Sequence, residues 1–176
     1  MNRYKVLITA AMLAAMSIVL ELLPLPYPKI EFIKIDIVGV PLILASMLLG
    51  TVGGIVSAIV MGILLIFTPT GWVGAIMKIV ATLPMIVLFG LLADRHMLTF
   101  RNAVIAAVAA IAIRSLGMVL FNYYFAIPVF FNIPTETAMA EFPALWIIIP
   151  NVILSLVEFA ICAFLFFKTP LRETLR

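Results

Sequence analysis

Ile37-Val-Gly-Val-Pro-Leu-Ile-Leu-Ala-Ser-Met-Leu-Leu-Gly50-Thr-Val-Gly53-Gly54-Ile-Val-Ser-Ala-Ile-Val-Met-Gly-Ile-Leu-Leu-Ile-Phe67 is an uncharged run of 31 positions, and its reading decides the fold. As one straight helix it would be about 46 Å long, against a bilayer hydrocarbon core of about 30 Å. Gly50, Gly53 and Gly54 fall in the middle of the run, where glycine permits a tight turn. Two short helices, 37–50 and 52–67, are therefore expected in place of one long tilted one.

Outward from this stretch the same texture continues. Further uncharged runs cover 6–20, 79–93, 102–113, 115–135 and 142–157. Across 176 residues the apolar fraction is 66% and the charged fraction 11%, with a mean hydropathy of +1.32. A soluble domain carries about a quarter charged residues, so water is excluded as the solvent for this surface. Helices are expected at 5–23, 37–50, 52–67, 72–93, 102–125 and 144–167. The chain reads as an all-α polytopic membrane protein, one transmembrane domain over 1–176 built as a bundle of six helices. The first apolar run follows Arg3 and Lys5 but lacks a small-residue cleavage site, so it is read as a retained helix. Cys162 stands alone and cannot pair within the chain; it reads as a small core residue.

Charge sets orientation. Lys and Arg outside the spans divide seven against two with six spans, and seven against two with five, so the count alone does not choose. The Arg3/Lys5 flank of the first helix favours a cytoplasmic N-terminus, and six spans then place the C-terminus there too. The expected location is the cell membrane, with loops 24–36, 68–71 and 126–143 outside. The first of these carries Pro24, Pro26 and Pro28, which suits a semi-rigid segment over a cavity. Basic residues are scattered singly, without the clustered patch of a nucleic-acid binder.

Polar groups inside a bilayer normally face a protein interior or a wet cavity. Lys78, Arg114, Glu158 and Glu21 fall within spans, joined by the amides of Asn122 and Asn151. Lys78, Asn122, Asn151 and Glu21 share the outer half under six spans, which points to an outward-opening polar pocket. Arg114 and Glu158 lie at similar depth on neighbouring spans, so a buried pair that offsets its own desolvation is the competing reading. Glu21 reads as an interfacial residue that snorkels. Trp72, Phe121, Tyr123, Tyr124, Phe125 and Trp146 crowd the outer level; a headgroup belt explains most of them, and the remainder suit a flat aromatic ligand. Ala10, Ala11, Ala14 and Ala15 put small residues at spacing four on the first helix, where they serve internal packing or a separate membrane subunit.

No P-loop, H-E-x-x-H or G-x-S-x-G occurs, His96 is the sole histidine, and no metal site, cofactor or catalytic set is expected. Nor do two hydropathic halves of an inverted-repeat transporter stand out. An intramembrane enzyme is disfavoured; a ligand-free structural subunit remains open.

Four local matches carry a resemblance: Ile33-Lys34-Ile35-Asp36 leading to Val40-Pro41, Leu49-Gly50 followed by Gly54, Gly71-Trp72-Val73-Gly74, and Asn122-Tyr123-Tyr124-Phe125-Ala126-Ile127-Pro128. With the A-x-x-x-A face of the first helix, the chain resembles the S components of energy-coupling factor (ECF) vitamin transporters, closest to their riboflavin-specific RibU branch. The resemblance implies a subunit that captures riboflavin outside and docks by its alanine face on a transmembrane coupling subunit. Two cytoplasmic ATPases would then drive release. Together, the outer polar pocket and the matched segments make Lys78, Asn122, Asn151, Tyr123, Trp72 and Asp36 the expected substrate contacts. Gly39, Met61-Gly62, Lys78 and Leu154 depart from the branch's pattern, which leaves another vitamin or heterocycle open as ligand.

Overall fold

The structure, a computed structural model, describes residues 3–22, 25–26, 34–35 and 37–171, with side chains over 4–22 and 37–171. The chain runs through α1 (Arg3–Glu21), β1 (Leu25–Pro26), β2 (Lys34–Ile35), α2 (Gly39–Leu65), α3 (Gly71–Asp94) and α4 (Phe100–Phe121). A π-helical turn (Asn122–Ala126) follows, then α5 (Ile127–Phe131), α6 (Thr135–Glu141) and α7 (Ala144–Lys168). The two strands are a two-residue antiparallel pairing, Leu25 opposite Ile35 and Pro26 opposite Lys34. Among the described residues the other regular elements are helical.

Among the described residues five stretches are long and apolar enough to cross a membrane: Tyr4–Glu21, Gly39–Leu65, Gly71–Asp94, Phe100–Phe131 and Ala144–Lys168. The expectation of six transmembrane helices is corrected here, and α2 is the reason. At Gly50 the backbone leaves the helix with φ 80° and ψ −176°. A side chain on Gly54 would begin only 3.0 Å from the Cα of Ser46, whereas eight residues along an unbroken helix span about 12 Å. α2 is therefore folded back on itself at the glycine the sequence singled out. Its first arm, 39–49, is only about 16 Å long, and its second, 51–65, about 22 Å. The first arm is too short to cross a bilayer alone, which is why two expected spans collapse into one folded element.

The fold of α2 is fixed at its tip. The Thr51 amide donates to Asp94 Oδ2 at 3.1 Å, so the last residue of α3 caps the start of the second arm, where the helix dipole favours an anion. Gly50 admits this because any Cβ there would fall on the Asp94 carboxylate. Gly90 similarly lets α3 approach the backbone of Thr51, with a built Cβ only 2.7 Å from the Thr51 nitrogen.

The helix ends define two levels, one at Asp94 and one at Thr70. Glu21 bonds to Thr70, Ser57 Oγ donates to the Ala10 carbonyl, and Phe100 meets Phe167 edge to face. The start of α1 and the end of α7 thus lie at the Asp94 level. Packing there is dry: Ile43, Met47, Met85, Phe89, Ala103, Ala107, Cys162 and Phe166 form one core. Ala14, Leu42, Met61, Leu65 and Ile86 join α1 to α2 and α3.

Two expected boundaries and the setting of Glu21 change. The helix placed at 102–125 begins at Phe100 with Thr99 as cap, its hydroxyl accepting from the Asn102 amide. It continues through the π turn to Phe131, so the loop expected at 126–143 contains two short helices instead. Glu21 does not snorkel: it is 4% exposed and held inside the bundle.

Candidate functional site

A cavity of about 220 Å³ opens in the Thr70 half of the bundle. Its walls follow from helix spacing. Gly74, Lys78 and Thr82 line it from α3, each four residues apart and so on one face. From the next leg come Arg114, Met118, Asn122, Ala126 and Phe130, again every fourth residue. In an α-helix each such step drifts by about 40° around the axis, since a residue turns about 100°. The wider π turn over Asn122–Ala126 subtracts from that drift. It thereby keeps Ala126 and Phe130 on the same wall as Arg114. α7 adds Pro150, Asn151, Leu154 and Glu158, and the entry to α2 adds Val38 and Gly39.

Among the described residues two ion pairs frame this space, one buried and one half-buried. Arg114 Nη1 donates to Glu158 Oε2 at 2.7 Å, with side chains 4% and 2% exposed. The other Glu158 oxygen accepts the Gly39 amide at 3.1 Å, and Arg114 Nε donates to Asn151 Oδ1 at 3.2 Å. One carboxylate therefore ties α4, α7 and the start of α2 together. Gly39 is needed for that contact, because a Cβ there would overlap the Glu158 carboxylate. The second pair joins Lys78 Nζ to Glu21 Oε2 at 2.6 Å, and Glu21 also accepts from the Thr70 hydroxyl. This links the end of α1 to α3 beside the cavity.

The structure sorts the sequence-predicted residues. Lys78, Asn122 and Asn151 line one cavity. Asn122 and Asn151 are steadied by bonds from their amide nitrogens to the carbonyls of Met118 and Ile147, at 2.7 and 2.8 Å. Tyr123 does not line it: its hydroxyl donates to the Phe142 carbonyl at 2.7 Å, locking the 122–142 segment to itself. Trp72 stands 53% exposed at the periphery, edge to face with Phe125, and is also off the cavity wall. Asp36 lies outside the described residues. Of the small residues, Ala10 and Ala14 are buried against α2, at 2% and 0% exposure, while Ala11 and Ala15 face outward. Sequence reasoning missed Thr82, Met77, Met118 and Pro150 as lining residues. Stepping by four from Lys78 and Asn122 would have found Thr82 and Met118.

Chemically, the arrangement is an apolar chamber with a few polar groups at fixed positions and no convergent nucleophile and base. Among the described residues no group of His, Cys, Asp and Glu is arranged to hold a metal ion. Fold and site together define a polytopic helical membrane protein built around an internal ligand-sized chamber.

The family follows from sequence: residues 5–168 match the model of the ECF transporter substrate-specific component, and the chain belongs to that family. Among solved structures, the chain resembles one described as "Structure and mechanism of the S component of a bacterial ECF transporter". The TM-score is 0.81 over 99% of both chains, at 22% identity, a likeness of fold. A search of curated proteins returned no match.

Proposed function

We propose that this chain is the riboflavin-capturing subunit of an ECF importer, with the Thr70 level facing outside and both termini in the cytoplasm. The observation that carries the reading is the convergence of Lys78, Asn122 and Asn151 on one chamber with apolar walls and an Arg114–Glu158 pair, in a chain of this family. Methionine and aliphatic walls supply area for a flat ring system, and the amide and ammonium groups set its orientation. α2, folded at Gly50, puts two legs into the bundle, the first too short to cross it, and five elements have spanning length among the described residues. Energy comes from partners: a membrane coupling subunit and two ATPases. Ala11 and Ala15, on the outward face of α1, are the proposed docking positions. Titration of the purified protein with riboflavin should quench flavin fluorescence. A protein that quenches nothing and carries no flavin from the membrane sinks this reading.

The cavity volume supports a second reading. About 220 Å³ is below the ~300–1,000 Å³ usual for drug-sized ligands, which favours a heterocycle smaller than riboflavin. Mass spectrometry of small molecules retained through purification separates the two.

A further inference from the structure

We infer that Arg114 reads the ligand, donating from its Nη2 edge to a carbonyl or ring-nitrogen acceptor, and that its pairing with Glu158 restricts the chamber to uncharged ligands. The inference rests on the flavin reading above and deepens it.

A guanidinium has five N–H donors in a rigid fork. In Arg114 one is spent on Asn151 through Nε and one on Glu158 through Nη1. Among the described residues nothing accepts from Nη2, although the side chain is only 4% exposed and forms part of the chamber wall. Buried donors are normally satisfied, and one left over on a cavity wall is satisfied by whatever enters. The fork is held at both ends, so Nη2 is aimed before a ligand arrives and little order has to be gained on binding.

Charge decides what kind of acceptor fits. The Arg114 charge is met by Glu158 at 2.7 Å and that of Lys78 by Glu21 at 2.6 Å. Each cation on the chamber wall is thus already matched by a fixed carboxylate. A carboxylate or phosphate ester approaching Nη2 would sit within a guanidinium's width of Glu158, in surroundings where like charges are poorly screened. A neutral carbonyl meets the same donors without that repulsion, and a hydrogen bond to a charged group is among the stronger kinds. Net charge thus separates neutral from anionic forms of the same ring.

Riboflavin and its 5′-phosphate ester share the ring and differ in charge, so flavin fluorescence titration of the purified full chain with each tests the idea. The wild type should bind riboflavin at least about tenfold more tightly than the phosphate ester. Arg114→Lys keeps a cation for Glu158 but loses the Nη2 edge, and should weaken riboflavin about tenfold or more. Glu158→Gln leaves the guanidinium charge uncompensated, so within that one protein the ratio of phosphate ester to riboflavin affinity should rise about tenfold. Should either variant fold poorly, Arg114→Gln with Glu158→Gln removes both charges together, and riboflavin affinity should still fall. Wild-type riboflavin affinity in Arg114→Lys or in the double variant overturns the contact. An unchanged ratio in Glu158→Gln, or a wild type that prefers the ester, overturns the charge argument and leaves the flavin reading standing. A wild type that binds neither flavin sinks that reading and this inference with it.

Discussion

The two halves of the bundle are built from the same helices but solve opposite problems. At the Asp94 level, Phe89 is fully buried and stacks on Phe159 with centroids 5.9 Å apart, and Ile43, Met85 and Cys162 leave no accessible surface. At the Thr70 level, those helices separate around a chamber, with the buried Arg114–Glu158 pair on its wall and Lys78, held by Glu21, beside it. In lipid, helices gain little from simple apolar contact and are held by close packing and by hydrogen bonds. The dry half uses the first means, with glycines 50, 54 and 90 bringing backbones together. The other half uses the second, since a chamber forbids close packing. Rigidity at one end thus frees the opposite end to remain hollow.

Several changes would break or sharpen that contrast. Arg114→Ala should have the largest effect, because it strands Glu158 in the bundle: about 3–5 kcal/mol of stability lost, seen as a lower unfolding midpoint in detergent, together with loss of riboflavin binding. Phe89→Ala should cost about 3 kcal/mol through the cavity it leaves in the dry half. Its folded fraction should still bind ligand as the wild type does, and a parallel loss of affinity would show the halves are not independent. Lys78→Ala should cost about 1–3 kcal/mol by leaving Glu21 buried with one partner fewer, and should weaken riboflavin; unchanged uptake by cells favours a ligand-free structural subunit. Gly50→Ala forces a Cβ onto a backbone at φ 80° and ψ −176°, for about 1–3 kcal/mol, and displaces Asp94. Its effect should be confined to stability. The smallest change in stability, within about 0.5 kcal/mol, is expected for Ala11→Leu on the outer face, yet co-purification with the coupling subunit should fall. Ala14→Leu should instead destabilise the chain by itself, since that side chain is buried against α2.

Much of this architecture was legible in the residues. An interrupted apolar run with Gly50 at its centre read as a reversal, and the backbone does reverse there. Charges in apolar sequence read as inward-facing: Arg114, Glu158 and Glu21 are buried, and Lys78 lines the chamber. The Arg114–Glu158 pair was one of two open readings and is formed. Less was legible where pattern gives spacing but not phase. A-x-x-x-A establishes that Ala10 and Ala14 share a face and that Ala11 and Ala15 share a neighbouring one. Which of them meets α2 depends on the rotation of α1, which the Ser57–Ala10 and Ser17–Val38 hydrogen bonds set. Aromatics misled for a related reason. Tyr123 sits next to Asn122 in sequence, but neighbouring helix positions point about 100° apart, so Asn122 reaches the chamber and Tyr123 the 122–142 segment.

By itself the sequence determined the solvent, the helical class, the site of the fold in α2 and the inward fate of the charged side chains. Those follow from transfer free energies and backbone sterics, which act residue by residue. Tertiary structure alone decided that Glu21 belongs to Lys78, that the first arm of α2 starts beside Glu158 rather than at a membrane surface, and that Arg114 spends Nε on Asn151 and Nη1 on Glu158. These include meetings of groups 57, 119 and 44 positions apart, the second of them a backbone amide with a side chain, and only the packed bundle brings such distant groups within hydrogen-bond reach.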